Sequence, residues 1–215
     1  IESDALNSPA GKLVGVFLAA CPKVREGSRP FAKARPVRQM RDVIMSATGW
    51  SLLLAEYRMI ETLGYFLRAD PRWTKANLIA TLELRTPESA LLWRAVGRRF
   101  RFFDVVSALG PQMIERAIDG QLNREIRESL ATSVVIERLS AYLQARDPAV
   151  APSEVQQMLR SVDDEVRANV ATVLSRFIRD TSASRGAPVT QAEAIFDSAV
   201  APFIKHEWPQ HASLW

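Results

Sequence analysis

An apolar stretch in the first third of the sequence constrains the fold more than any other feature. From Trp50 to Leu67, apolar residues recur every ~3.6 residues and cover nearly the whole circumference of the predicted helix. A helix that is apolar on almost every side has to be surrounded by other helices. Asp70-Pro71 ends this stretch and starts the next helix, because Asp caps an N-terminus and Pro fits a first turn. We therefore expect a central helix wrapped by its neighbours.

The rest of the sequence continues the helical pattern without any strand signal. Ser8-Pro9 and Thr86-Pro87 are typical helix starts, and residues 23–36 have the composition of a loop. No apolar run alternates with period two, so we expect an all-α chain of about nine to eleven helices. Helices of this length joined by short turns predict antiparallel pairs stacked as a HEAT-like or irregular α-solenoid.

Some segments make sharper local predictions. The segment Val37 to Thr48 predicts a short helix that turns Val43 and Ile44 inward and Arg41 outward. Gly110-Pro111 predicts a break between two short helices, because both residues disfavour a helix interior.

A second group of local signals concerns helix starts in the second half. Ser153 with Gln156 predicts a capping box, and the acidic run at 163–165 suits the first turn of a helix.

Domain organisation follows from length and from the two ends of the chain. The 215 residues suffice for one helical domain over 1–215, with a sub-boundary near 145–153 where the helical pattern is interrupted. The chain begins with Ile1 and is still apolar at Trp215, so we expect an excised segment of a larger protein. The charged residues within 50–67 are too many for a membrane span. One cysteine fits a cytoplasmic location.

Few residues are available for catalysis or metal binding. The chain has two histidines and one cysteine. His206 and His211 are five residues apart with Pro209 between them, which does not match the spacing of two zinc ligands on one helix face. No nucleophile motif and no glycine-rich phosphate loop is present. We therefore expect no enzyme activity, metal, cofactor or small-molecule substrate in this segment.

The positive charge is concentrated in the first half of the chain. Residues 1–101 contain 17 basic and 9 acidic residues, whereas residues 102–215 contain 11 basic and 15 acidic ones. Such an asymmetry indicates an anionic partner, and arginines on one helix face could follow phosphates. The predicted anionic-partner surface consists of Arg35, Arg38, Arg41, Arg94, Arg98 and Arg101.

The tryptophans are interpreted as packing anchors. Large aromatic rings contribute much of the apolar area that helix interfaces bury. The predicted anchors are Trp50, Trp73, Trp93 and Trp208, together with the helix-start pair Asp70 and Pro71.

The segment LGYFLRADPRWTKANLIATLELRTPESALLWRAV, residues 63–96, carries a family resemblance. It is similar to the C-terminal helical regions of large bacterial antiphage-defence proteins that have a SIR2-like or STAND nucleotide-binding domain upstream. The matching features are Asp70-Pro71 followed by Trp73, the helix start at Pro87-Glu88, and Trp93. The closing helix VAPFIKHEWP, residues 200–209, is similar as well. The basic and aromatic segment at 97–103 departs from the pattern.

The resemblance implies a function without catalysis. It implies a helical scaffold or sensing segment that recognises a protein partner, either its own effector domain or a phage component. The catalytic residues of such proteins lie in domains outside this chain. The alternative interpretation is a basic α-helical module that binds nucleic acid through the arginine-rich first half. A steep salt dependence of binding would distinguish phosphate contacts from protein recognition.

Overall fold

Helices account for nearly all of the regular structure. The computed structural model describes residues 1–98, 103–183 and 189–210, of which 77% are helical, and no strand occurs among them. The all-α prediction is therefore confirmed, while the HEAT-like stacking stays a prediction. The chain is divided into two compact units, Ile1–Arg99 and Phe100–Trp215. Among the described helices, none combines the length and apolarity needed to span a bilayer.

The first unit is built around the apolar helix expected from the sequence. Leu54, Tyr57 and Ile60 of this helix are almost completely inaccessible to solvent. It is α4 (Gly49–Glu61), and it packs against α1 (Glu2–Asn7), α2 (Pro9–Ala20), α3 (Pro36–Met45) and α8 (Pro87–Gly97). Its central position in this unit agrees with the prediction.

The central helix is shorter than the sequence pattern predicts, because it breaks at Thr62. The Thr62 N–H donates to the Met59 carbonyl at 3.0 Å, and the Thr62 hydroxyl donates to the same oxygen at 3.1 Å. These bonds close a tight turn that ends α4. The next elements are α5 (Leu63–Ala69), α6 (Pro71–Thr74), a π-helical turn (Lys75–Ile79) and α7 (Ala80–Glu83).

The orientation predicted for α3 is wrong. Ile44 is buried as expected, but Val43 is 68% exposed and Arg41 is only 2% exposed. The apolar spacing suggested the opposite arrangement for Val43 and Arg41. Arg41 can face inward because aromatic rings and a carboxylate receive its guanidinium, as described below.

The second unit is organised around a helix of its own. Leu130, Val135 and Leu139 of this helix are fully buried. It is α10 (Arg124–Leu143), and it packs against α9 (Phe103–Ile118), α11 (Pro152–Ser161), α12 (Asp164–Ala183), α14 (Ala201–His206) and the π-helical turn Phe196–Val200 that follows α13 (Val189–Ile195). The expectation of one central helix therefore describes the first unit alone.

The break predicted at Gly110-Pro111 does not occur, and α9 runs through it. Gly110 is buried, and a Cβ atom there would clash with Val150 Cγ2. Pro111 lies on the exposed side of the same helix. Glycine is therefore required for close packing, and the proline interrupts hydrogen bonding where solvent is accessible.

Helix starts in the second unit agree with the sequence in one case and differ in another. Asp163 caps α12, since its Oδ1 accepts from the Val166 N–H at 2.9 Å. The capping box predicted at Ser153 is wrong. Pro152 occupies the first turn of α11, and Glu154 Oε2 accepts from the Ala151 N–H at 3.0 Å. Proline fits this position because its absent N–H would have no helical partner.

The segment 145–153 lies inside the second unit. Val150 is buried against Gly110, and the Ala149 N–H donates to Glu137 Oε2 at 3.2 Å. Arg146 Nη1 also donates to Glu137 Oε1, at 2.6 Å. These contacts attach the segment to α9 and α10 within the second unit.

Candidate anionic-partner cleft

The structure separates the six predicted surface arginines. Arg94 is exposed, and Arg35 lies beside the loop that precedes α3. Arg38 is partly exposed and pairs with Asp42 at 3.5 Å, while Arg98 donates to Glu61 Oε1 at 3.1 Å.

The other two arginines do not form part of the described surface. Arg41 is buried, and Arg101 lies outside the described residues. The six arginines therefore do not form the single exposed set that the sequence predicted.

Arg41 is a buried structural cation rather than a partner contact. Its Cζ lies 4.7 Å from the centroid of the Phe31 ring and 4.1 Å from that of Trp73. Its Nη1 donates to Asp70 Oδ2 at 2.8 Å, and its Nε lies 3.3 Å from Asp42 Oδ1. We call the two rings, Phe31 and Trp73, the aromatic cage. The aromatic cage and the carboxylates of Asp70 and Asp42 together replace the hydration that Arg41 loses on burial. The Arg41 guanidinium is therefore not available to an external anion.

Asp70 connects this buried cation to a helix start. Its Oδ1 accepts from the Trp73 N–H at 3.4 Å, and Pro71 is the first residue of α6. The cap that Asp70-Pro71 predicts is therefore present. The second carboxylate oxygen receives Arg41, so one side chain fixes both the start of α6 and the position of α3.

The predicted tryptophan anchors differ in burial. Trp93 is fully buried, and its indole N–H donates to the Leu82 carbonyl at 3.0 Å. Trp208 is also buried, and Trp73 is partly buried in the aromatic cage. Trp50 is 49% exposed, so the prediction that it anchors the packing is wrong. It lies in the first turn of α4.

The loop between α2 and α3 is attached to the core on both sides of its basic segment. Before the segment, the Tyr65 hydroxyl donates to the Pro22 carbonyl at 2.9 Å. After it, Phe31 is buried against Phe17, Tyr65 and Phe66, with ring centroids 5.9 to 6.4 Å apart. Burial raises the pKa of Tyr65, which keeps its hydroxyl protonated as a donor at neutral pH.

The middle of the loop forms a tight turn. Gly27 has a φ of +71°, a conformation that costs a side-chain-bearing residue energy. Ser28 closes the turn, because its Oγ accepts from the Arg25 N–H at 2.9 Å and donates to the Arg25 carbonyl at 2.6 Å. The loop therefore has a defined path although it contains no helix or strand.

The end of α2, the attached loop and the N-terminus of α3 line an open cavity of about 570 Å³. Its size lies within the range of ligand-binding pockets. No acidic residue is among the described residues that line it. We call this cavity the basic cleft, and it is lined by the cations Lys23, Arg29 and Arg35 and by Ala20, Pro22, Gly27, Ser28, Pro30, Pro36, Val37 and Met40.

The three cations of the basic cleft have no carboxylate partner within the described parts of the chain. No ion pair joins Lys23, Arg29 or Arg35 to an acidic side chain there. In the first unit, the buried Arg41 is therefore paired, whereas the three cations around the open cavity have no carboxylate partner among the described residues. This arrangement attracts an anionic group.

A smaller cavity of about 250 Å³ adjoins the basic cleft through Pro22 and Lys23. Cys21 and Tyr65 line it, and burial raises the pKa of the Cys21 thiol. A thiol with a raised pKa stays neutral at neutral pH and is a weak nucleophile. In the described residues, no group of three or more His, Cys, Asp or Glu side chains lies close enough to hold a metal ion.

The second unit also buries a charged group. Glu207 is completely inaccessible, and its Oε1 accepts from Arg138 Nε at 2.6 Å and from the Tyr142 hydroxyl at 2.9 Å. The guanidinium of Arg138 lies 4.1 Å from the centre of the Tyr142 ring. Glu207 Oε2 is buried, and it has no hydrogen-bond partner among the residues that the structure describes. Burial raises the pKa of Glu207. The contacts with Arg138 lower it, but the effect of burial is the larger one.

Sequence reasoning found part of this site. Of the three cleft cations, the predicted surface contained only Arg35, and it left out Lys23 and Arg29. The apolar wall of Val37 and Met40 was not predicted either. The buried position of Phe31 had one sequence signal, a lone aromatic between Pro30 and Pro36 in an otherwise polar loop. The pairing of Arg138 with Glu207 joins residues 69 positions apart and had no local signal.

Comparison of the chain with known protein families, with curated proteins and with solved structures finds no match.

Proposed function

We propose that this chain is a non-catalytic helical recognition segment of a large bacterial antiphage-defence protein, and that it acts in the cytoplasm. Its partner is a protein, either the effector domain of the same polypeptide or a phage component. The basic cleft is the contact surface. HEAT-like stacking of the helices is the architecture that such a segment would use to present it.

One observation carries the proposal. Three cations surround an open cavity without a carboxylate partner in the described residues, whereas Arg41, Arg138 and Arg167 are buried and hydrogen-bonded. Unpaired cations at a cavity favour recognition of an anion, because no existing ion pair has to be broken when the anion binds. The resemblance of residues 63–96 to defence proteins supplies the biological setting.

Nucleic-acid binding is the second candidate function. Exposed Arg94 and the unpaired cations of the basic cleft favour it, since each phosphate contact releases a counterion. A module that binds phosphates would lose affinity for an oligonucleotide steeply as salt increases. A protein-recognition segment would show no such binding at physiological salt.

The proposal is tested in cells that carry the intact gene. The gene is sequenced on both sides of this segment, and phage plaque formation is compared for the parent and for Lys23→Ala/Arg29→Ala/Arg35→Ala. We expect a nucleotide-binding or SIR2-like domain upstream and a loss of protection in the variant. An unrelated upstream region, or full protection by the variant, would contradict the proposal.

A further inference from the structure

The lining of the basic cleft has two chemically different parts. Lys23, Arg29 and Arg35 supply positive charge, and the guanidinium groups can bind carboxylates through paired hydrogen bonds. Ala20, Val37 and Met40 supply an apolar surface next to them. A ligand that fills the cavity therefore needs anionic groups and an aliphatic group close together.

The lining also indicates which anion is favoured. Proteins that bind single-stranded nucleic acids stack bases on aromatic rings. No aromatic residue lines the described cavity, because Phe31 and Tyr65 are used to attach the loop to the core. Aliphatic side chains and a flexible methionine suit the side chains of a peptide.

The cleft is formed before any ligand binds. The Tyr65 bond to Pro22, the buried Phe31 ring and the closed turn at Gly27 hold the loop on both sides of the cations. A preorganised loop lowers the entropy cost of binding a short flexible peptide. The three proline residues of the lining, Pro22, Pro30 and Pro36, restrict the loop further.

We infer that the basic cleft binds an acidic peptide segment of the partner protein, with an aliphatic side chain placed against Val37 and Met40 between carboxylates that contact the three cations. This inference rests on the proposed function and names the partner chemistry of that site.

The test measures fluorescence anisotropy of labelled short peptides with the full chain. The first peptide set, the acidic aliphatic set, combines Asp or Glu with Leu or Val in every order. The second set, the Ser set, has Ser in place of the aliphatic residues. The third set has Lys in place of the acidic residues. An oligothymidine of similar length is the nucleic-acid probe. We expect the acidic aliphatic set to contain the tightest ligands, about tenfold tighter than the Ser set, by the scale of burying one aliphatic side chain.

Two charge variants locate the binding site. Lys23→Ala/Arg29→Ala/Arg35→Ala should weaken binding by about tenfold or more, since charge-assisted bonds are lost. Lys12→Ala/Arg72→Ala/Lys75→Ala removes three positive charges from exposed positions of the same unit and should change affinity by less than about twofold. Val37→Ser/Met40→Ser should abolish the preference for aliphatic over Ser peptides. Circular dichroism checks that each variant is folded.

Each contrary outcome has a separate meaning. Equal weakening by both charge variants, equal binding of the Ser set, or no binding by any peptide overturns the inference. If plaque protection still depends on the three cleft cations in these cases, the proposed function stands without it. Tight binding of oligothymidine with a steep salt dependence overturns the inference and the proposed function together.

Discussion

Arg41 in the first unit and Glu207 in the second are buried charges of opposite sign, and they are satisfied in different ways. In the first unit, Arg41 lies between two aromatic rings, and its partner Asp70 is 26% exposed. In the second unit, Glu207 is completely buried and depends on Arg138 and Tyr142, with one carboxylate oxygen unpaired.

The difference shows that a buried guanidinium can be satisfied by aromatic faces, which a buried carboxylate cannot use in the same way. Aromatic faces attract a cation directly, whereas a carboxylate needs a donor for each oxygen. The first unit satisfies Arg41 in this way and leaves Lys23, Arg29 and Arg35 without a carboxylate partner among its described residues.

The largest effect is expected from removing the cation of the second unit. Arg138→Met should lower the free energy of unfolding by about 3–5 kcal/mol at neutral pH, because it leaves the Glu207 carboxylate buried without a cation. Urea denaturation followed by circular dichroism measures this. The deficit should shrink at acidic pH, where Glu207 can be protonated. A deficit that does not depend on pH would show that packing, rather than the ion pair, is lost.

The matching change in the first unit should cost less. Arg41→Met should lower the free energy of unfolding by about 1–3 kcal/mol, because water can reach Asp70 and the aromatic cage still packs on the methionine. Arg41→Lys is the control that keeps the charge but loses the planar stacking, and it should lie between the parent and Arg41→Met. A larger loss than for Arg138→Met would overturn the comparison between the units.

A third buried charge sharpens the comparison. Burial raises the pKa of Glu56 in α4 from 4.5 to about 7, and no ion pair to it is found among the described residues. The folded protein then keeps this proton up to about pH 7, whereas the unfolded chain releases it near pH 4.5. Since the native state binds more protons in this window, stability should fall as pH rises through it and level off above it.

Glu56→Gln tests this pH dependence by removing the titrating group at nearly constant shape. The stability of the variant should not show the decline between about pH 4.5 and pH 7 that Glu56 causes in the parent. The variant should also be more stable than the parent at pH values above about 8. Thermal melts across the pH range, in one buffer series, measure both effects. An unchanged slope in Glu56→Gln would assign the decline to another group, such as Glu207.

The smallest effect concerns the attachment of the loop. Tyr65→Phe removes the hydrogen bond to the Pro22 carbonyl and should lower the free energy of unfolding by only about 0.5–1 kcal/mol, because water can replace the donor. Its affinity for an acidic peptide should still fall a few-fold, since the loop is less well ordered before binding. Parent affinity in this variant would show that Phe31 alone orders the loop.

Local signals predicted the helix starts better than they predicted the side chains that meet in three dimensions. Ser8, Asp70 and Thr86 cap their helices as expected, because capping depends on residues three positions apart. The inward position of Arg41 depends on Trp73 and Asp70, about thirty residues further along. A periodicity argument places any arginine outward, so it could not identify this one as buried.

The same limit applies to the candidate site. The basic character of residues 23–35 was readable, but which cations stay unpaired was not. Arg35, Arg38 and Arg41 lie in the same basic segment. In the folded chain Arg38 pairs with Asp42, Arg41 enters the aromatic cage, and Arg35, which precedes α3, lies at the cleft. The continuous α9 is a similar case, since Gly110 is explained by Val150, forty residues away.

The most direct test of the account is to map the bound peptide on the protein. Amide chemical shifts of the isotopically labelled chain would be followed by two-dimensional NMR during titration with the tightest acidic aliphatic peptide. The account predicts shifts concentrated at residues 22–37, including Gly27, Ser28 and Val37. Shifts concentrated at Arg94 and the end of α8, or spread evenly over both units, would contradict it.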